Sequence, residues 1–169
     1  MNQQILKILI QETNKAMSKN EVPIGCVITR NLEIISKAHN QKISRKDPTA
    51  HAEIIAIKKA CRKVGSWNLN DCELYVTLKP CNMCIAVINE ARIKKVYYVV
   101  ENNKNVNNNM LITKIKDCEY ENAFSEKLST FFKNKREIIY KYFDIIFRGG
   151  LLCLTYHCIE NIGQKHFQM

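Results

Sequence analysis

Along the first turns of the chain the apolar positions Ile5, Leu6, Ile8, Leu9, Ala16 and Met17 fit one face of a helix, which predicts a helix over Asn2–Lys19. Glu21-Val22-Pro23-Ile24-Gly25 breaks the period. Two runs rich in β-formers follow, GCVIT (25–29) and LEIISKAHN (32–40), and the polar Arg30 and Asn31 between them predict a hairpin turn. Asp47-Pro48-Thr49 predicts a helix start, with a capping side chain and a proline in the first turn, and alanine-rich sequence carries that helix to about Lys63. CELYVTL (72–78) reads as a strand, Pro80–Ala91 as a short helix and KKVYYVV (94–100) as another strand, a unit that implies parallel pairing. The asparagine-rich stretch Glu101–Asn109 reads as a loop, and helical periodicity returns over Ala123–Tyr142. No internal repeat or interdomain linker is evident, and the elements predict one mixed sheet covered by helices, an α/β sandwich. The tail Arg148–Met169 differs in character: Gly149-Gly150 breaks the helix, and LLCLTYHCI (151–159) suits either a docked strand or a loosely ordered end.

With 169 residues, 46% of them hydrophobic, the chain has enough apolar sequence for a single domain with a continuous core. Lys7 interrupts the apolar run Ile5–Ile10 and no small-residue cleavage pattern follows, so no secretory signal is expected. No segment approaches the roughly 20 apolar residues that span a bilayer. The expected setting is cytoplasmic, where the 8 cysteines stay reduced and serve as buried hydrophobes or metal ligands rather than cystines. A formal charge of +10 favours a polyanionic partner. Charge alone does not decide this, because a Lys-, Asn- and Ile-rich composition also arises from AT-rich coding.

The chemistry concentrates in two short motifs. His51-Ala52-Glu53 sits at one predicted helix start, and Pro80-Cys81-x-x-Cys84 sits at another. A helix advances roughly 100° per residue, so Cys81 and Cys84 point nearly the same way. The free N–H groups of a first turn favour thiolate, the form that ligates metal, and Pro80 loses no hydrogen bond there. A zinc ribbon would need a second C-x-x-C, which is absent, and the surroundings of a thioredoxin-like redox pair are absent too. Two thiolates and one imidazole make a three-ligand zinc site with an open fourth position, the mark of a catalytic rather than a structural metal. Glu53 is the candidate carboxylate to shuttle a proton there. On a regular helix His51 and Glu53 would splay to opposite sides, so His51 is expected in a first, irregular turn.

The H-x-E and P-C-x-x-C pair is the signature of the zinc nucleobase deaminases. Within that superfamily EVPIG (21–25), DPTAHAE (47–53), LYVTL (74–78) with PCNMC (80–84), and KLSTFFKNKRE (127–137) resemble the bacterial tRNA-specific adenosine deaminases, over about Glu21–Ile139. The resemblance implies a cytidine deaminase-like α/β/α sandwich with a mixed sheet of about five strands. It places the deaminase domain over residues 1–147, with a C-terminal extension of unknown role over 148–169. It further implies hydrolytic deamination of adenosine to inosine at the anticodon wobble position of tRNA, one zinc ion per subunit on His51, Cys81 and Cys84, Glu53 as the proton shuttle, and a homodimer. Asn40 matches a residue that holds the target nucleoside, and Val22 and Leu78 fall where the family lines the base pocket. Such an enzyme must extrude its base and read the flanking nucleotides by stacking and 2′-hydroxyl contacts. Phe131, Phe132, Lys133, Lys135 and Arg136 could supply stacking and phosphate contacts, with at least one phenylalanine expected to be buried.

The chain departs from the family pattern in two places. Where the family has Arg-Asp-x-Lys and then glycines, this chain reads Glu101-Asn102-Asn103-Lys104-Asn105-Val106-Asn107, keeping only Lys104. Asn102 can still meet a ribose hydroxyl, with less insistence on RNA. Lys79 replaces an acidic residue that commonly precedes the Pro-Cys pair. Two alternative readings are a zinc-dependent deaminase of a free base or nucleotide, such as guanine or cytosine, and a non-catalytic RNA-binding subunit that keeps zinc for structure. Cys153, His157 and Cys158 form a conceivable second metal set in the tail, although the same residues suit a small apolar patch.

Overall fold

The computed structural model describes residues 3–102 and 111–148, with the side chains of 111 and 141–148 excepted. Lys104, the residues of the 101–109 stretch beyond Asn102, and the candidate set Cys153, His157 and Cys158 lie outside the described residues. The chain divides into two compact units, 1–128 and 129–169.

In the first unit a five-stranded sheet has the order β2-β1-β3-β4-β5, built from β1 (Gly25–Arg30), β2 (Glu33–His39), β3 (Cys72–Leu78), β4 (Lys95–Val100) and β5 (Leu111–Lys114). The pairs β2/β1 and β1/β3 are antiparallel, while β3/β4 and β4/β5 are parallel, which makes the sheet mixed as expected. Alternation along the strands sends successive side chains to opposite faces. Cys26, Ile28, Leu74, Val76 and Val96 meet Ile55, Ala56 and Ala60 of α3 (Ala52–Val64) and Ile88 of α4 (Asn82–Glu90) in one core. Val27, Tyr75 and Val99 meet Ile5, Leu6 and Leu9 of α1 (Gln3–Ser18), together with Phe124, in the other. Helices therefore cover both faces, giving the three-layer α/β/α sandwich. The helix α5 (Cys118–Arg148) begins in the first unit, and the described part of the second unit is its continuation from Ser129.

Three local features differ from the sequence expectations. Arg30 still pairs with Glu33, so the hairpin turns on Asn31 and Leu32, both at positive φ (49° and 67°). Two such residues match the right-handed twist of the flanking strands. The α3 helix starts five residues after Asp47, because the Asp47 carboxylate accepts from the Thr49 amide and hydroxyl in a local turn instead of capping a helix. A one-turn helix, α2 (Lys42–Arg45), occupies the intervening segment and ends at Lys46 with φ of 52°. Gly25 has a specific packing reason to be glycine: a Cβ there would stand 2.8 Å from the Leu9 carbonyl oxygen of α1. The first helix can therefore lie directly against the start of β1.

Candidate active site

Both motifs lie at helix N-termini that follow or flank the central strands. His51 is the N-cap of α3, in extended conformation (φ −76°, ψ 153°), and Cys81 is the N-cap of α4 (φ −78°, ψ 168°). Neither side chain caps its own helix. Their carbonyls accept the first helical bonds, from Ile55 and Ile85, so each side chain is free to point outward from the helix start. The extended backbone at His51 explains how it shares a site with Glu53, two residues later and already inside the helix.

The ligand atoms of His51, Cys81 and Cys84 lie within 4.8 Å of one another. The imidazole Nδ1 is 3.5 Å from the Cys84 sulfur and 3.8 Å from the Cys81 sulfur. The Cys84 thiol and His51 stabilise the Cys81 thiolate and push its pKa down to about 3, although burial opposes them. Cys84 is driven upward in turn by Cys81 and by burial. Cys81 beside His51 raises the pKa of the ring, against burial and the charge of nearby Lys42.

Glu53 is 3% exposed, and its Oε2 has no hydrogen-bond partner. Among the described residues no other buried side-chain nitrogen or oxygen is in that position. Burial holds the carboxyl above its usual range, with His51 opposing. A buried polar atom without a partner costs roughly 1–3 kcal/mol. Folding alone gives no reason to retain it, whereas a metal-bound reactant does. The donor set, one imidazole nitrogen and two sulfurs, also suits zinc. The residues present fit a zinc site on both counts.

Asn40, at the end of β2, is 3% exposed. Its Oδ1 accepts from the Ala52 amide at 2.8 Å, and so supplies the cap that His51 does not. The structure thus joins five of the expected residues, His51, Glu53, Cys81, Cys84 and Asn40. Leu78 and Val22 are half-buried at the end of β3 and in the 21–24 turn. Asn102 lies just past β4, with its Nδ2 3.5 Å from the Lys79 carbonyl oxygen. In the second unit Phe131 is buried, as expected for one of the pair, and Phe132 is half-buried with its ring edge-on to Phe131 at 5.4 Å. Lys135 stands 5.6 Å from the Phe131 ring.

Several site residues carry no local sequence signal. Cys26 is wholly buried, and burial followed by the Glu53 charge keeps it a thiol. Lys42, Arg45 and Lys46 form an exposed basic run on and after α2. Fully buried Glu21 accepts from the amides of Ile43 (3.0 Å) and Ser44 (2.7 Å), anchoring α2 from the preceding turn. Burial raises its pKa, but the two amides prevail and hold the carboxylate below its usual range. A depressed folded-state pKa contributes stability above the unfolded value, and that contribution disappears as pH falls through the folded one. Glu21→Gln is therefore expected to lower stability by about 1.5–3 kcal/mol at pH 7. In urea melts taken from pH 7 to pH 3, its difference from the parent should shrink towards acid; a difference that does not change with pH would disprove the account.

Such a sandwich, with an imidazole, two sulfurs and a buried carboxylate gathered at two helix starts, has the structure of a zinc-dependent hydrolytic enzyme. The profile of the cytidine and deoxycytidylate deaminase zinc-binding region matches residues 1–100. The chain is 52% identical over 93 residues to the tRNA-specific adenosine deaminase of Aquifex aeolicus, spanning 62% of that relative's length. It is 39% identical over 141 residues to that of Rickettsia bellii, spanning 97% of it. A solved structure from work on A-to-I editing by tRNA:A34 deaminases superposes with TM-score 0.59 at 38% identity, covering 62% of this chain and 80% of that one. The guanine deaminase of Bacillus subtilis superposes with TM-score 0.56 at 37% identity, covering 60% and 65%. The chain belongs to the cytidine and deoxycytidylate deaminase zinc-binding family. Among the described residues no helix is long and apolar enough to cross a membrane.

Proposed function

We propose that this chain hydrolytically deaminates adenosine to inosine at wobble position 34 of tRNA anticodons. The observation that carries the reading is the buried, unpartnered Oε2 of Glu53 beside the His51, Cys81 and Cys84 cluster. Likeness to tRNA-specific adenosine deaminases supports the choice of substrate. In this reading His51 Nδ1 and the sulfurs of Cys81 and Cys84 hold one zinc ion per subunit, which when bound supplies a Lewis acid and an acidified water at C6 of the purine. Glu53 Oε2 accepts a proton, returns it to the ring nitrogen next to C6, and then relays one to the departing amine. The balance is adenosine and water in, inosine and ammonia out. Asn40 donates from its Nδ2 to the nucleoside, and its Oδ1, held by the Ala52 amide, keeps the side-chain amide from rotating away. Val22 and Leu78 provide apolar walls, and Asn102 meets a ribose hydroxyl.

Lys104 contacts the phosphate backbone, and Phe132, with its buried neighbour Phe131 behind it, offers a face for stacking beside Lys133, Lys135 and Arg136. Residues 1–147 form the deaminase domain and 148–169 an extension. The enzyme acts in the cytoplasm as a homodimer on the anticodon stem-loop. The similarity to guanine deaminase favours a second reading, in which the same apparatus acts on a free base. Incubating the zinc-loaded protein with an anticodon stem-loop carrying wobble adenosine, and separately with guanine and cytosine, distinguishes the two. Inosine in the stem-loop without xanthine or uracil is expected. Xanthine or uracil without inosine would establish the second reading, and zinc binding with no turnover of any substrate would indicate a non-catalytic subunit.

A further inference from the structure

Lys79 and Glu101 face each other where β3 and β4 end. The Lys79 ammonium is 2.8 Å from Glu101 Oε1. The other carboxylate oxygen, Oε2, accepts from the Tyr98 hydroxyl, and Tyr98 is buried in the core. The Lys79 ammonium also stands 5.7 Å from the centre of that ring. Around this contact the backbones are tied as well. Leu78 is in register with Val100, the Lys79 backbone amide donates to the Val100 carbonyl at 3.0 Å, and the Asn102 side-chain Nδ2 lies 3.5 Å from the Lys79 carbonyl oxygen. Here the parallel strands β3 and β4 separate: one chain continues through Pro80 to Cys81, and the other continues to Asn102. The side chains of Lys79 and Glu101 are 25% and 42% exposed, so the pair adds little to global stability. Its location gives it a different use.

We propose that Lys79 and Glu101 are positioning residues: their ion pair, held against the Tyr98 hydroxyl, sets the chain entering at Asn102 relative to the chain leading to Cys81. Neither residue touches the reacting atoms. The effect of the clasp on substrate rests on the deaminase reading above, whereas its existence does not.

The test compares Lys79→Glu, Glu101→Lys and the double exchange with the parent. Two quantities are read: KM and kcat for an anticodon stem-loop with wobble adenosine, and hydrogen exchange at the Lys79 amide. A clasp predicts that each single change raises KM by roughly fivefold. It also predicts kcat within about twofold and unchanged zinc content, because Pro80 and the ligands are untouched, and faster amide exchange. The double exchange should return both readouts to within about twofold of the parent. The informative case is Glu101→Lys, which adds positive charge near a polyanionic substrate and would lower KM if charge attraction alone were at work. A lower KM for Glu101→Lys, or a double exchange that merely sums the single effects, overturns the proposal. If the parent forms no inosine, the substrate reading fails by itself, and the exchange rates still decide whether the clasp exists.

Discussion

Glu53→Gln, loaded with zinc, is expected to form inosine at least about 10²–10⁴-fold more slowly than the parent, the range typical of a lost general acid–base group. The substitution keeps the shape of the side chain and removes the proton-carrying charge. Its effect on folding should run the other way. The parent buries a carboxylate with one unpartnered oxygen in a site where burial raises its pKa, and a buried charge is costlier than a buried amide. The metal-free variant should therefore melt no lower than the metal-free parent. Inosine yield and thermal melting, measured on the same preparations, separate the two effects. A variant that loses activity and also melts well below the parent would show that Glu53 is needed for the fold, and the assigned role would fail.

The second large effect concerns the ligands. Cys84 is buried with its sulfur 3.5 Å from His51 Nδ1, and Cys84→Ser replaces a soft, anionic donor with a hard, neutral one. Losing even an outer-shell partner of a metal ligand typically costs 10–100-fold in affinity, so losing a sulfur ligand should weaken zinc binding by more than about 100-fold. Activity measured without added zinc should fall in parallel. Cys118→Ser, at an exposed cysteine outside the cluster, should keep both metal and activity. Equal zinc content in the two variants, after dialysis against a competing chelator, would remove Cys84 from the ligand set.

What could be read from the sequence is what depends on short-range order. β3 was located residue for residue, because CELYVTL is a dense run of strand formers between turn signals, and its parallel partner was displaced by one residue at its start. The candidate cluster of His51, Cys81 and Cys84 is legible because both motifs fall at helix starts, where imidazole and sulfurs are presented together. The start of α3 lies later than the sequence predicts because Asp47-Pro48 has the composition of a cap, and composition does not reveal that Thr49 engages the carboxylate locally. β5 was expected from the resemblance but was not assigned to residues. It has four residues, at the sheet edge, with little pattern of its own.

Interactions across long sequence separations were not legible. Glu21 in EVPIG gives no hint that it holds the amides of Ile43 and Ser44. Glu12 on α1 is equally uninformative until β2 brings His39 Nδ1 to 2.8 Å from it. Lys79 and Glu101, 22 residues apart, looked in sequence like independent departures, and only the β3/β4 register shows that they meet. Asn40 was found through the family resemblance. The structure adds that its Oδ1 is committed to the Ala52 amide at the start of α3.

The most direct test of a zinc-dependent deaminase is to remove and restore the metal. Protein stripped by a chelator is titrated with zinc while inosine formation in the wobble-adenosine stem-loop is followed. The account predicts no activity at the outset, a rise in proportion to zinc bound, and saturation at one zinc ion per chain. Full inosine formation by metal-free protein, or folded protein that binds one zinc ion and never forms inosine, would contradict it.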